Sequence, residues 1–376
     1  MAKQRRNYEG TVYYDKLQRS YRVFITTPDG KRFSRRFETR AAAVEWQTEQ
    51  RHQLQEGTYV AASDLTVGEW SIQWLKTYKK NAVRQRTFER YAELAKHLQL
   101  ISRYHIQELT SLQVQKLYQE LLQSLSASTV YKVHKILMAM FKKAVQIELL
   151  ARNIMLTVEP PKPIKKEISI FSAKEIHLIL ATIQREPRLH RYYPIVLLAS
   201  TTGMRLGELL ALKWENINEQ DNSLYIQYSI QQSLSVGIFL EQPKTKASQR
   251  KIQIPCEVMA VLIELKQHRL TDDPYDLCFH TRTGKPIAPR SFERFWKALF
   301  TKYDLGLEYK NFHCLRHTHA TELLAAGIPL SDVAKRLGHS KQSHTLELYA
   351  HAMPRQETAI NKVIENLYSL KKGSEK

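Results

Sequence analysis

HCLRHTHATELLAAGIPLSDVAKRLGHSKQSHTLELYAHA, residues 313–352, crowds six histidines, Arg316 and Tyr349 into a stretch with the apolar spacing of amphipathic helices. A metal site, an acid/base site and the polar faces of two helices all fit that composition. His313 and His317 stand at i, i+4, a spacing that zinc-binding histidines use. The residues between them are Cys-Leu-Arg, so the glutamate of an HExxH motif is missing and a cation stands beside the metal position. Zinc is the poorer reading.

Phosphate fits better. Arg316 follows His313 by three residues, so one helix turn projects both side chains. Arg205, in TTGMRLGELLALKW (201–214), stands where a second helix is expected to begin. A guanidinium is a planar fork matched to two phosphate oxygens. Two of them on one phosphodiester would neutralise the charge that builds in a pentacoordinate transition state, work that Mg²⁺ does in metalloenzymes. Lys244 could protonate a leaving alkoxide, and His313 and His339 could hydrogen-bond phosphate or move protons. Tyr349 could be the nucleophile, its phosphate ester keeping the energy of the broken bond. Each residue alone has an ordinary structural explanation; a single tyrosine on an amphipathic helix usually belongs to the core or its rim. The combination is what calls for a function.

Composition points the same way. The chain has 376 residues, enough for two or three domains, with 57 Lys+Arg against 37 Asp+Glu and a formal net charge of +20. Such an excess implies a polyanionic partner, nucleic acid before anionic membrane. The charge is spread: residues 1–60 hold 12 basic against 7 acidic side chains, and residues 64–160 hold 14 against 8. Cys256, Cys278 and Cys314 are odd in number and far apart, which argues against a disulfide framework or a zinc ribbon. No apolar run reaches the ~20 residues of a membrane span, and MAKQRRNYEG lacks an apolar signal core. The expectation is a cytosolic or nucleoid protein, without membrane partners.

Along the chain, YEGTVYYD, SYRVFITT and KRFSRRFE alternate aromatic or β-branched residues with polar ones, with Pro28-Asp29-Gly30 as a turn, and a helix is expected from Arg40 to Gln55. These strands carry Arg19, Arg22, Lys31, Arg32, Arg35 and Arg36, either a solvated basic face or a β-ribbon for a DNA groove. Residues 64–156 change to helical periodicity. Thr66-Val-Gly-Glu69 is a capping box, and helical patterns follow over Arg86–Leu98, Ser111–Gln123 and Ser128–Leu149. The last has an apolar stripe of Val130, Val133, Leu137, Met140, Phe141 and Val145, with Lys132, Lys135, Lys142 and Lys143 largely off it. TVEPPKPIKKEISIF (157–171) cannot stay helical through Pro160, Pro161 and Pro163; with Lys162, Lys165 and Lys166 it reads as an extended basic linker. A second capping box, Ser172-Ala-Lys-Glu175, opens a mostly helical region from 172 to 376. SLYIQYSI (223–230), GIFLEQ (237–242) and RKIQIP (250–255) predict a small antiparallel sheet there, with Lys244, Thr245 and Lys246 at the hairpin tip between the last two.

The motifs TTGMRLGELLALKW, PKTKASQRKIQIP (243–255) and HCLRHTHATELLAAG…LGH…TLELYAH (313–351), in that order, resemble those of the tyrosine recombinases, or lambda-type integrases. The resemblance implies a catalytic set of Arg205, Lys244, His313, Arg316, His339 and Tyr349, with Glu208 in support; Lys246 and Lys251 are alternatives for the lysine. It further implies a multidomain, mainly α protein with small β-sheets. Residues 1–60 would be an arm-type DNA-binding sheet plus helix, 64–156 a helical core-binding domain, 157–171 a linker, and 172–376 a mixed α/β catalytic domain. Where many members read Asn-Pro, this chain reads Arg152-Asn153-Ile154. The implied activity is integration and excision of a phage or mobile element through a 3′-phosphotyrosine and a Holliday junction. Four protomers on double-stranded DNA would carry it out, with no metal or nucleotide cofactor. A DNA-bending host factor and an excisionase are typical companions. A type IB topoisomerase and a non-catalytic architectural protein of the same fold are the alternatives; an arm-like N-terminal region favours the recombinase over the first, and a complete catalytic set disfavours the second.

Overall fold

The structure, a computed structural model, describes residues 11–26, 32–56, 59–164, 168–243, 248–269, 275–303, 305–339 and 346. Two compact units divide the chain, Met1–Lys165 and Lys166–Lys376.

The first unit opens with an antiparallel sheet of β1 (Thr11–Asp15), β2 (Ser20–Thr26) and β3 (Arg32–Phe37) in that order, followed by helix α1 (Arg40–Gln55). Strand alternation sends Val23 and Ile25 onto Ala43 of α1, with Val12, Tyr21, Phe33, Phe37 and Trp46 around them. The register pairs Tyr13 with Arg22 and Arg22 with Arg36, and also Phe24 with Ser34 and Thr26 with Arg32, so these residues share the face turned away from α1. Arg22 and Arg32 both lie over the Phe24 ring, 4.8 and 4.2 Å from its centroid. Arg35 pairs with Val23 and therefore belongs to the α1 side of the edge strand, where it lies over Phe37. Arg19 occupies the exposed β1–β2 turn with φ of 47°.

Helices α2 (Val67–Trp74), α3 (Gln85–Ala95), α4 (Ser111–Leu122) and α5 (Ala127–Gln146) follow, with a π turn over Leu75–Lys79 and a 3-10 turn over Lys96–Ile101. The Thr66–Glu69 capping box forms, and Thr110 with Gln113 makes a second at α4. Trp70, Trp74, Tyr118, Leu137, Met140 and Phe141 close the core, and the Trp70 indole donates to the Met140 carbonyl at 3.2 Å. Lys132, Lys135 and Lys142 stay exposed, while Lys143 lies over Tyr78. Asn153, in the position that departs from Asn-Pro, N-caps a short 3-10 turn over Ile154–Thr157 by accepting from the Met155 amide. Lys162 is exposed; Lys165 lies outside the described residues.

The second unit contains α6 (Ala173–Arg185), α7 (Tyr193–Thr202), α8 (Leu206–Leu210), α9 (Cys256–Lys266), α10 (Pro289–Lys302), α11 (His313–Ala325) and α12 (Leu330–Leu337). Ser172 and Glu175 form the expected capping box at α6. The strands between α8 and α9 differ from the expected single sheet. β4 (Ile217–Asn218), β5 (Ser223–Ile226) and β8 (Arg250–Gln253) form one sheet in the order β4-β5-β8, while β6 (Ser229–Ser233) pairs with β7 (Gly237–Glu241) in a hairpin of its own. SLYIQYSI thus changes partner at Gln227-Tyr228, and β7 and β8, expected to pair as a hairpin, belong to different sheets; Lys244, Thr245 and Lys246 lie outside the described residues. The cause is core packing. Leu224, Ile226 and Ile230 are all buried, and Ile252 of β8 completes the layer under Leu224 and Ile226. α8 lies close on β6, because a Cβ on Gly207 would come within 2.7 Å of the Ile230 carbonyl oxygen.

Candidate active site

The site is built from chain breaks. Gly203 ends α7 in the left-handed region at φ of 65°, and α8 restarts at Leu206 with Arg205 as its N-cap residue. A Cβ on Gly203 would stand 2.8 Å from both His319 and Leu337, so glycine answers a contact as well as a backbone angle. The turn hands its carbonyl to Arg316. That guanidinium, 2% exposed, donates from Nη1 to Gly203 O and from Nη2 to Leu337 O, each at 2.7 Å. One arginine thereby joins the α7–α8 turn, α11 and the end of α12.

Glu208, 4% exposed, sits between two guanidiniums. Its Oε1 accepts from Arg205 Nη1 at 2.7 Å, its Oε2 from the Arg205 amide at 3.0 Å and from Arg250 Nη2 at 2.8 Å. Burial opposes ionisation of this carboxyl, but the Arg250 charge and hydrogen bond, helped by Arg205, hold its pKa down at about 2. The Arg205 side chain remains 40% exposed.

His313 opens α11 beside these charges. The residue is exposed, yet the loss of hydration against the surrounding chain, then His317, Arg316 and Arg205, lowers its pKa to about 4. Its ring stands edge-on to His317, centroids 4.7 Å apart. Next to His313 and Arg316 opens a cavity of about 370 Å³, which Tyr309, Asn311 and Glu293 also line. His339 follows the left-handed Gly338 that ends α12, and its amide donates to Ala334 O at 3.0 Å. His339, Arg250 and Arg336 line a broad groove over β8 and α12. Lys244 and Tyr349 lie outside the described residues.

Three polar residues join this network without having been singled out by motif. Arg250 is one. Arg336 donates from Nε to His319 Nε2 at 3.1 Å and from Nη2 to Thr201 O at 3.1 Å. Since Arg336 presents a donor, His319 Nε2 accepts, and Nδ1 carries the proton toward Ser200 O at 3.1 Å. Burial, then the Arg336 charge, lowers the His319 pKa to about 4. A signal for Arg250 existed: in RKIQIP it alternates onto the same buried face as Ile252 and Ile254, and a cation there needs a buried carboxylate. His319 and Arg336 had none, because ordinary helical spacing fits both.

Residues 170–356 match the model of the "Phage integrase family", and residues 66–122 match "Phage integrase, N-terminal SAM-like domain". The chain is 30% identical over 396 aligned residues to a "Tyrosine recombinase XerC-like" protein of Caldanaerobacter subterraneus subsp. tengcongensis, covering 95% of this chain and 99% of the relative. This chain belongs to the phage integrase family of tyrosine recombinases. It is a site-specific DNA recombinase. The ICEBs1 integrase of Bacillus subtilis is 25% identical over 277 residues, covering 70% of this chain and 72% of that one. Among solved structures, the Tn1549 transposon integrase in complex with a circular intermediate DNA superposes with a TM-score of 0.71 at 20% identity, covering 79% of this chain and 99% of that one. A lambda integrase tetramer bound to a Holliday junction gives 0.60 at 17% identity, covering 94% and 99%. Both show the fold that the recombinase shares.

Proposed function

We propose that this recombinase integrates and excises a mobile DNA element, with Arg205, Lys244, His313, Arg316, His339 and Tyr349 as its catalytic groups and Glu208 in support. The carrying observation is the anchoring of Arg316 to Gly203 O and Leu337 O beside a part-exposed Arg205 held by a buried carboxylate. That arrangement fixes two cations before any phosphate arrives, so charge stabilisation needs little reorganisation at the transition state. Tyr349 Oη gives up its proton to His313 or His339 and attacks the scissile phosphorus, the bond to the 5′ oxygen breaks, and Lys244 gives that oxygen its proton. A 3′-phosphotyrosine remains, and the 5′ hydroxyl of a partner strand attacks it in the reverse sense to restore the phosphodiester and free the tyrosine. His313, neutral near pH 7 in the free protein, donates a hydrogen bond to a phosphate oxygen, as does His339.

Relatives solved on DNA, one of them as a tetramer on a Holliday junction, support assembly of four protomers on two duplexes. The exposed Lys132, Lys135, Lys142 and Lys162, with Lys165, are assigned to core-site phosphates. Arg19, Arg22, Arg32 and Arg36 on the N-terminal ribbon, and Arg35 at its edge, are assigned to arm-type DNA. Among the described residues no helix is long and apolar enough to cross a membrane. With a net charge of +20, the proposed place of action is the bacterial nucleoid.

A suicide core-site duplex that loses a short fragment after cleavage tests the assignment on a denaturing gel. The wild-type chain should trap a covalent adduct, and on intact sites should form Holliday junctions. Relaxation of supercoils without junctions would favour a type IB topoisomerase, and no adduct at all would leave only a DNA-architectural role.

A further inference from the structure

Arg250 reaches three separate pieces of the site from one buried side chain, 5% exposed. Nη2 donates to Glu208 Oε2 at 2.8 Å, Nε to Arg336 O at 2.6 Å and Nη1 to Ser248 O at 3.1 Å. Glu208 holds Arg205 by backbone and side chain, Arg336 lies three residues before His339, and Ser248 lies four residues after Lys244. We propose that Arg250 is a positioning residue for strand cleavage: it orients the Glu208 carboxylate that aims Arg205, and it cancels that carboxylate's charge. The inference rests on the reading of Arg205 as a phosphate-binding group.

The electrostatic part follows from the charges. Arg205, Glu208 and Arg250 together carry one net positive charge, and Arg205 is the exposed member. Without Arg250, the Glu208 charge would neutralise Arg205 locally, and a phosphodiester would meet a nearly neutral pair. The geometric part follows from the acceptors. Three oxygens on three chain segments receive three different nitrogens of one rigid plane, and an ammonium on a flexible stem cannot match them together. Arg250 acts through Glu208 and touches no reacting atom itself.

The test is a double-mutant cycle on the covalent step, measured at saturating suicide substrate with R205A, R250M and the double variant. DNA affinity and thermal melting are recorded beside each rate. The expected result is that R250M slows adduct formation about 100-fold with Kd for the core site held within about 3-fold. In the R205A background the further loss from R250M should be no more than about 10-fold, because removing Arg250 cannot disorient a guanidinium already absent and only leaves the Glu208 charge uncancelled. A rate for R250M within about 3-fold of wild type overturns the proposal, as do losses that multiply in the double variant, the mark of a merely structural role. If R205A itself cleaves at the wild-type rate, the reading of Arg205 falls first and the inference with it. Should R250M melt below the assay temperature, the same cycle with R250K decides by the same criterion, since it keeps the charge and stem but loses the fork.

Discussion

Tyr349→Phe removes one oxygen, so it should abolish the covalent adduct while DNA affinity stays within about 3-fold; an adduct formed by this variant would move the nucleophile to another tyrosine, Tyr303 or Tyr309 among them. Because arginines and a lysine are assigned the charge stabilisation, cleavage should also continue in excess EDTA; its loss, restored by added metal, would overturn the arginine-clamp account. Gly203→Ala places a β-carbon against His319 and Leu337 at a positive φ, and should cost about 1–3 kcal/mol in thermal or denaturant unfolding. It also moves the carbonyl that holds Arg316, so cleavage should slow by more than binding weakens. His319 supplies a pH handle. Its folded pKa of about 4 lies below its ordinary 6.5, so the unfolded chain takes up a proton first as pH falls. Stability is full above pH 6.5 and should decline as pH drops toward 4, with Glu208 adding a second loss between 4.5 and about 2. Melting temperatures from pH 7 to 4 should fall less steeply in His319→Gln than in the wild-type chain; equal slopes would assign the titration elsewhere. These residue roles differ in how far sequence shows them. Arg316 and Glu208 sit in motifs, but the neutral state of His319 depends on its burial and then on Arg336, seventeen positions away.

The N-terminal ribbon shows what an element decides. KRFSRRFE reads as a run of basic residues, yet strand alternation divides it: Arg32 and Arg36 face away from α1, and Arg35 faces toward its side. Replacing Arg32 and Arg36 with Ala should lower the salt slope of arm-site binding by about 2, at roughly 0.9 for each phosphate no longer neutralised. Arg35→Ala should change that slope less. Equal effects of all three in titrations at several salt concentrations would mean that the ribbon binds DNA by its edge and not by its outer face. The helices were the most legible elements, since capping boxes at Thr66 and Ser172 mark their starts by local chemistry. The β-strands of the second unit were less so. Alternation locates Leu224, Ile226 and Ile230 on one face, but pairing is a choice among distant partners, and β5 takes β8 while β6 takes β7.

At the scale of the molecule, the N-terminal sheet and α1 have a core of their own around Val23, Ile25 and Ala43, distinct from the helical core around Trp70 and Phe141. A fragment beginning at Ser63 should therefore keep core-site binding and adduct formation. It should lose protection of flanking arm sites and most integrative recombination, because a tethered second DNA-binding domain raises effective concentration without touching the chemistry. Footprints of the full chain and the fragment decide this. If both protect only the core region, residues 1–60 serve folding or protein contacts and the chain acts at simple sites.

The sequence by itself determined the order of the motifs, the helix starts, the basic balance and the proline-rich stretch between two helical regions. Each of these is local or compositional, legible from neighbours a few positions apart. The tertiary structure decided which groups meet. Arg250, forty-two residues from Glu208, completes a buried carboxylate's coordination, and Arg316 finds its acceptors 113 residues before it and 21 after it. Buried charges and carbonyls must be satisfied wherever the chain brings them, and only the folded path says which ones arrive together.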